Sequence, residues 1–242
     1  MAIAPFLAMT AAEIRKASPL PEKIAWMACH FSPYGAGLSN LPKTLQPGSL
    51  LMVDDVTPPY RHHPTFIAEQ LSQCVESLQC RGVLLDFQRR GCEETHAIAK
   101  QLVAALPCPV AVSACYAAEL DCSVFLPPVL PSVPLEAHLT PWEGREIWLE
   151  LGLDGEVLTL TKGGCEEMTI PNPDENEKGF EDLSLHCHYS VETTEKSARF
   201  TFWRTKDDLE RLLNNAKLQG VSEFIGLFQE MKTAFPNGTR EE

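Results

Sequence analysis

Between Ser49 and Cys115 the sequence alternates short apolar runs with amphipathic helical patterns, and this alternation limits the possible folds more than any other feature. The apolar runs have the length of buried strands, and the segments between them place apolar residues at helical spacing. The predicted elements, in chain order, are Ser49–Val53, Pro64–Leu78, Val83–Phe87, Glu93–Leu106 and Val110–Cys115. Two consecutive strand–helix–strand units with right-handed crossovers imply a parallel sheet.

The flanking segments extend this pattern to about eight strands. Further strands are expected at Lys23–Cys29, Ser123–Leu126 and Phe224–Phe228, in a hairpin over Glu146–Thr161 with Asp154-Gly155 in its turn, and in a hairpin that joins Leu185–Val191 to Arg199–Trp203. We therefore expect an α/β fold, a (β/α)8 TIM-type barrel with irregular connections and an inserted β-hairpin. An open doubly wound parallel sheet follows the same connection rules and is the alternative. No Gly-x-Gly-x-x-Gly motif follows a predicted strand, which argues against nucleotide binding.

The expected organisation is one barrel domain with short ends. Residues 1–21 are assigned to an N-terminal extension, residues 22–235 to the barrel domain and residues 236–242 to a C-terminal tail. Within the barrel domain, the hairpin insertion covers about 146–162 and an acidic loop covers 171–182. A chain of 242 residues is long enough to bury one core of this size.

Charge and cysteine usage restrict the partners and the compartment. The net charge of −13 argues against nucleic acid and against an anionic membrane surface, because both need a basic protein surface. The nine cysteines lie mostly in apolar runs and include no Cys-x-x-Cys pair, so neither a disulfide framework nor a metal site is expected. A cytoplasmic protein without a cofactor is the simplest interpretation, although secretion and the oligomeric state stay open.

In a barrel, functional side chains collect at the carboxyl ends of the strands. The candidates for catalysis at these ends are the acids Asp54, Asp55 and Asp86. The candidates for ligand binding are His30, Tyr34, Gln88, Arg89, Tyr116, Glu119, Trp203 and Gln229. Such a mixture is typical of a sugar pocket, because aromatic rings pack against sugar C–H groups while carboxylates and amides bind hydroxyls. We therefore expect a carbohydrate or another small polar ligand.

The segment Arg81–Gln88 resembles the fourth-strand signature of glycoside hydrolase family 18, the chitinase-like barrels, which reads Asp-Gly-x-Asp-x-Asp-x-Glu. Gly82 and Asp86 match this signature, and Phe87 lies where an aromatic residue is usual. Leu50–Val53 resembles the third strand of the family, and Phe202-Trp203 together with the strand that ends at Phe228 resembles its last two strands. The resemblance implies a TIM barrel and a glycosidase-like site.

The segment differs from the signature at two positions, and one of them carries the proton donor of the family's hydrolytic mechanism. In the family, the final Glu protonates the leaving oxygen, and the Asp before it orients the N-acetyl group of the substrate, whose carbonyl acts as the nucleophile. Here Gln88 occupies the position of the Glu, and Leu84 occupies that of the outer Asp. An amide is too weak an acid to donate that proton near neutral pH.

Three hypotheses follow. The first is a family 18-like barrel that lacks the usual general acid and binds a carbohydrate. The second is an active glycoside hydrolase that uses Asp54 or Asp55 with Asp86 as its acid and base. The third is a structural or assembly protein that makes contacts through the Glu146–Thr161 hairpin.

Overall fold

The protein is described by a computed structural model, which covers residues 3–59, 63–173 and 178–235. The strands are β1 (Phe6–Met9), β2 (Ile24–Phe31), β3 (Leu38–Ser39), β4 (Leu50–Asp54), β5 (Gly82–Asp86), β6 (Val110–Ser113), β7 (Ser123–Leu126), β8 (Ile147–Leu151), β9 (Gly155–Thr161), β10 (Gly164–Ile170), β11 (Phe180–Asp182), β12 (Cys187–Thr193), β13 (Ser197–Trp203) and β14 (Val221–Leu227). The helices are α1 (Ala11–Lys16), α2 (Pro64–Leu78), α3 (Glu93–Ala105), α4 (Ala114–Ala117), α5 (Leu135–Leu139), α6 (Lys206–Leu218) and α7 (Phe228–Ala234), and a 3-10 turn spans Thr140–Trp142.

Eight parallel strands form a closed barrel. The strand order is β1-β14-β8-β7-β6-β5-β4-β2, and β1 also pairs with β2, which joins the two ends of the sheet. The short strand β3 adds to β2 in the antiparallel direction. This closure confirms the predicted TIM-type barrel over the open doubly wound sheet.

Apolar side chains from all eight strands fill the interior of the barrel. These residues are Phe6, Ala8, Ala25, Leu50, Leu84, Ala111, Phe125, Trp148 and Ile225. Because side chains alternate along a strand, a residue two positions beyond one of these residues also faces the interior, nearer the carboxyl end. This places Asp86 beyond Leu84 and Glu150 beyond Trp148 on the inner face.

The helices that cover β4 and β5 agree with the predictions. Helix α2 begins at Pro64 and buries one face against the protein interior, and helix α3 carries Glu93 and Glu94 in its first turn, where negative charge stabilises a helix. Later connections are irregular, since only the four-residue helix α4 lies between β6 and β7. No helix among the described residues is both long enough and apolar enough to span a membrane.

The amino-terminal segment was assigned wrongly. Residues 1–21 were expected to form an extension, but Phe6–Met9 pairs with β14 on one side and with β2 on the other. All four residues of this strand are buried. The capping box that opens the next helix was correctly recognised, since Thr10 and Glu13 exchange hydrogen bonds there.

The predicted hairpin over 146–162 does not form. Strand β8 pairs in parallel with β7 as a barrel strand, whereas β9 belongs to a second, antiparallel sheet of order β10-β9-β13-β12-β11. The third hypothesis therefore loses the hairpin on which it depended. The other predicted hairpin is present as β12 and β13.

The second sheet belongs to its own compact unit, which comprises Pro128–Glu143 and Leu151–Val221. The barrel unit comprises Ala2–Pro127, Gly144–Glu150 and Ser222–Glu242. Part of the predicted acidic loop, residues 174–177, lies outside the described residues, as does the predicted tail 236–242, and Phe180–Asp182 of that loop forms β11. Helix α6 begins with the predicted capping box between Thr205 and Asp208.

Candidate functional site

A cavity of about 210 Å³ opens at the carboxyl ends of β5 to β8. All the residues that line it belong to the barrel unit. They are Asp86, Phe87, Gln88, Arg90, Ser113, Ala114, Cys115, Phe125, Pro127 and Glu150. The cavity therefore lies where a TIM barrel carries its functional site.

Asp86 is the last residue of β5 and is held by two hydrogen-bond donors. Gln88 Nε2 donates to Asp86 Oδ1 at 2.9 Å, and Ser113 Oγ donates to the same oxygen at 3.3 Å. Burial raises the pKa of the Asp86 carboxyl above its ordinary value, and these two hydrogen bonds oppose the shift. Nearby Asp54 and Asp55 raise the pKa of Asp86 further.

Asp55 fixes the loop that carries Gln88. The backbone N–H of Gln88 donates to Asp55 Oδ1 at 2.8 Å, and the backbone N–H of Arg89 donates to Asp55 Oδ2 at 3.1 Å. The Arg89 side chain extends back and donates to the carbonyl oxygens of Asp55 and Val56. Asp55 and Arg89 thus join the loops after β4 and β5, and neither side chain is among those that line the cavity.

Asp54 lies beside Asp86, since the two residues pair in register on neighbouring strands. Its Oδ1 accepts the backbone N–H of Val56 at 3.0 Å, which closes a local turn. Burial raises the pKa of the Asp54 carboxyl, while the Val56 hydrogen bond and nearby His30 oppose the shift. Of the three predicted catalytic acids, only Asp86 contributes to the described cavity lining.

Glu150 is the acid that the sequence analysis missed. It lies on β8, lines the same cavity as Asp86, and has no hydrogen-bond or ion-pair partner among the described residues. Burial, and after it the nearby carboxylates Asp86 and Glu230, raise the pKa of Glu150 to about 7. A signal was available, because the run Ile147–Leu151 ends in an acid just as the run before Asp86 does. It was misread because the run was assigned to a hairpin.

Several predicted ligand-binding residues have other local contacts. His30 lies within β2 and its Nδ1 is 3.2 Å from the carbonyl oxygen of Ala28, while Tyr34 is 98% exposed on the following loop. Tyr116 is buried in α4, where its ring packs edge-on against Phe87 and stacks on His96. The side chains of His30, Tyr34 and Tyr116 are not among those that line the described cavity.

The remaining candidates are also placed elsewhere. Glu119 is exposed beyond α4, and Gln229 lies on α7, where it donates to Glu13 Oε1 at 2.8 Å. Trp203 ends β13 of the second sheet rather than a barrel strand, and it is buried there in a stack with His188. The likeness of Phe202-Trp203 to a late barrel strand was therefore wrong.

Besides Glu150, seven lining residues were not among the predicted site residues, and two of these seven, Arg90 and Cys115, carry ionisable side chains. Arg90 follows the Asp86 strand directly, and Cys115 donates its thiol hydrogen to the carbonyl oxygen of Phe87, with an S···O distance of 3.0 Å. Burial raises the pKa of the Cys115 thiol, so the thiol form dominates near neutral pH. No group of three or more His, Cys, Asp or Glu side chains that could hold a metal ion occurs in the described part of the chain.

Solved structures with the same architecture are chitinases and related enzymes. A family GH18 chitinase of Cycas revoluta, in complex with allosamidin, matches with a TM-score of 0.60 at 10% sequence identity, over 98% of this chain and 98% of that chain. A chitinase of Chromobacterium violaceum matches with a TM-score of 0.58 at 10% identity, over 99% and 100% of the two chains. The spore cortex-lytic enzyme SleL of Bacillus cereus matches with a TM-score of 0.56 at 10% identity, over 93% of this chain and 70% of SleL.

The barrel has the fold of the family 18 chitinases. No family profile and no curated protein sequence matches the chain. Counting from β1, strand β5 is the fourth strand of the chitinase-like barrel, and this is the position that the signature resemblance assigned to Gly82–Asp86.

Proposed function

We propose that the chitinase-like barrel binds a carbohydrate that contains N-acetylglucosamine in the cavity around Asp86. The observation that carries the proposal is the hydrogen-bonded group of Asp86, Gln88 and Ser113 inside a cavity on the fourth barrel strand. A structure with the same fold is a complex with (GlcNAc)3, which makes this sugar the first ligand to test.

The chemistry of the lining suits a sugar. Asp86 and Gln88 offer acceptor oxygens and Gln88 and Arg90 offer N–H donors, a combination that satisfies hydroxyl and acetamido groups. Phe125 and Pro127 supply apolar surface for the C–H face of a sugar ring. The volume of about 210 Å³ is below the ~300 Å³ at which pockets for drug-sized ligands begin, which favours one sugar unit in the cavity.

We further propose that the usual general acid of the family is absent. Gln88 stands at the position that the resemblance assigns to the acid, and an amide does not release a proton near neutral pH. Leu84, at the position of the outer Asp, is fully buried among apolar residues of the barrel interior.

Binding of (GlcNAc)3 by titration calorimetry tests the proposal. We expect binding that weakens at least tenfold in Asp86→Ala and is unchanged in Glu76→Ala, which removes an exposed acid on α2 outside the lining. A trisaccharide of glucose serves as the ligand control, because it lacks the acetamido groups. Absence of any (GlcNAc)3 binding, or equal binding by the Asp86 variant, would contradict the proposal.

Restoring an acid at position 88 tests the proposed loss. Gln88→Glu alone should add little hydrolysis of (GlcNAc)3, because Leu84 leaves the new acid without the second supporting carboxylate. Strong cleavage created by this single substitution would show that the site has decayed less than proposed.

We also propose that the protein acts in the cytoplasm. All nine cysteines are unpaired, and Cys29, Cys74 and Cys187 are buried, where a reduced thiol packs as a small apolar group. Denaturation of the isolated protein in the presence of an alkylating reagent and without a reductant, followed by mass spectrometry, should find nine alkylated thiols. Pairing of any of them in the isolated protein would favour an oxidising compartment.

A further inference from the structure

We propose that Glu150 donates a proton to the leaving oxygen when the barrel hydrolyses a β-linked N-acetylglucosamine oligosaccharide, and so replaces the acid that is missing at position 88. This inference rests on the proposed function, since it needs the sugar to occupy the cavity around Asp86.

The geometry brings two carboxyl groups to one cavity from different strands. Asp86 comes from the fourth barrel strand and Glu150 from the seventh, and both lie on the inner face, directly beyond the apolar layer that contains Leu84 and Trp148. Gln88 is exposed, donates a hydrogen bond to Asp86 and contributes only an amide. Among the described residues that line the cavity, Glu150 is therefore the only carboxyl group besides Asp86.

The two carboxyl groups have different surroundings. Asp86 accepts hydrogen bonds from Gln88 and Ser113, and such bonds favour its ionised form. Glu150 accepts no hydrogen bond from a described residue and faces the negative charges of Asp86 and Glu230. Two carboxyl groups with such unequal hydrogen bonding differ in how readily they release a proton, and acid–base chemistry requires such a difference.

The ionisable side chains near Glu150 lie on several strands, helices and loops of the barrel unit. Asp86 on β5 and Glu230 on α7 both raise its pKa, after burial, to about 7. Arg90 on the loop after β5 and Cys115 on α4 line the same cavity. At neutral pH a large share of Glu150 therefore carries a proton, as a general acid must.

The reaction balances without another reagent. The proton of the Glu150 carboxyl passes to the glycosidic oxygen while the bond between that oxygen and the anomeric carbon breaks, and the leaving sugar departs as an alcohol. The acetamido oxygen of the substrate forms a bond to the anomeric carbon, with Asp86 accepting a hydrogen bond from the acetamido N–H. Water then adds at the anomeric carbon, the acetamido bond breaks, and the proton of the water returns to the Glu150 carboxylate.

A pair of substrates separates proton donation from any other role. (GlcNAc)3 has a sugar leaving group that needs protonation, whereas the 2,4-dinitrophenyl β-glycoside of N-acetylglucosamine has a leaving group that departs without it. Glu150→Gln keeps the size of the side chain and removes its proton. We expect kcat/KM for (GlcNAc)3 to fall about 100- to 10,000-fold, the usual worth of a general acid, and kcat/KM for the activated glycoside to fall less than tenfold.

The matched control is Glu76→Gln, which makes the same chemical change at an exposed position on α2 outside the cavity lining and should leave both rates unchanged. The loss of rate above about pH 7 should also disappear in Glu150→Gln, since it would report the ionisation of the acid. Unchanged calorimetric binding of (GlcNAc)3 by Glu150→Gln shows that the variant is folded.

The outcomes distinguish the two proposals. Binding of (GlcNAc)3 without turnover, or turnover that Glu150→Gln leaves intact, overturns the assignment of Glu150 and leaves the binding function standing. Equal losses on both substrates also overturn it, because they indicate a positioning role rather than proton donation. Failure of the unaltered protein to bind (GlcNAc)3 overturns the binding function and, with it, this inference.

Discussion

Replacing Asp55 with alanine should destabilise the barrel and loosen the loop that carries Gln88, even though Asp55 was first considered a catalytic acid. The side chain is only 2% exposed, and each of its carboxylate oxygens accepts one backbone N–H from the Gln88–Arg89 segment. Alanine removes both acceptors at once. Among the described residues, the hydrogen bonds that still join the loops after β4 and β5 are those from the Arg89 side chain to the Asp55 and Val56 carbonyl groups.

The size of the effect follows from these two hydrogen bonds. A hydrogen bond to a charged group contributes about 1.5–3 kcal/mol, so two contribute about 3–6 kcal/mol. The variant recovers part of this amount, because it no longer buries a charge and because water reaches the exposed Gln88 and Arg89. We expect a net loss of about 3 kcal/mol, which for a barrel of this size lowers Tm by roughly 6–12 °C.

Thermal unfolding followed by tryptophan fluorescence measures this loss, and Asp54→Ala is the matched control. Both variants remove one negative charge from adjacent positions, but among the described residues the Asp54 carboxylate accepts only the nearby Val56 N–H, so its replacement should lower Tm by less than about 4 °C. Equal Tm values for the two variants would refute the assigned role of Asp55. A loss of hydrolysis in Asp55→Ala at unchanged Tm would instead support the second hypothesis, in which Asp55 acts as a catalytic acid.

Three further substitutions test the interior, the buried acid and the second sheet. Leu84→Asp should lower the free energy of unfolding by more than about 4 kcal/mol, because it places a carboxyl without a partner in the apolar interior. Leu84→Met should lower it by less than ~1.5 kcal/mol. Thermal unfolding of both variants measures the difference, and similar losses in the two would contradict this prediction. Between pH 4.5 and about 7, Glu150 keeps a proton in the folded state that it has released in the unfolded chain. The free energy of unfolding should therefore fall by about 2–3 kcal/mol as the pH rises through this range. If Tm depends on pH in the same way in Glu150→Gln and in the unaltered protein, this prediction is wrong. Arg204→Lys should lower the free energy of unfolding by about 2–4 kcal/mol, because one ammonium group cannot donate hydrogen bonds to the carbonyl groups of His186, Val129 and Leu130 together. The control Arg199→Lys changes an exposed arginine and should have little effect. Similar midpoints of chemical unfolding for the two variants would contradict the role of Arg204.

The central barrel elements were predictable because local signals agreed there. Helix α2 combines a proline at its first position with an apolar face at helical spacing, and β5 is an apolar run that ends sharply at Asp86. Helix α6 carries a complete capping box, so both its start and its buried face could be assigned from neighbouring residues. Each of these features is encoded within about one element's length of sequence.

The errors concern strand partners, which depend on residues far apart in the chain. The Asp154-Gly155 pair is typical of a hairpin turn, yet Gly152–Asp154 connects a barrel strand to a different sheet. The end of β13 was located correctly at Trp203, but its partners are β9 and β12 rather than barrel strands. Strand β1 has four residues, which is too short for an alternating pattern to stand out from the helix that follows.

The sequence therefore predicted the part of the candidate site that follows β5, but not the part that β8 contributes. Asp86 and Gln88 follow a strand that was recognised as parallel and buried, so their convergence at the barrel mouth could be inferred. Glu150 lies 64 positions later, on the strand that was taken for half of a hairpin. Once β8 is known to pair with β7, the same rule that selected Asp86 also selects Glu150.

Because the sheet is closed, side chains from β5 and from β8 line the same cavity. The interior layer of Leu84, Phe125 and Trp148 fills the barrel below the cavity, so the carboxyl groups of Asp86 and Glu150 are desolvated from the same side. An acidic side chain that points inward at the end of any barrel strand packs against this apolar layer, and the resulting burial raises its pKa. Because eight strand ends surround one opening, a cavity with an amide at position 88 can still contain an acid, provided that another strand supplies a carboxyl group to which no described residue donates a hydrogen bond. Glu150 meets that condition, and Asp55 does not, since two backbone N–H groups already bind its carboxylate.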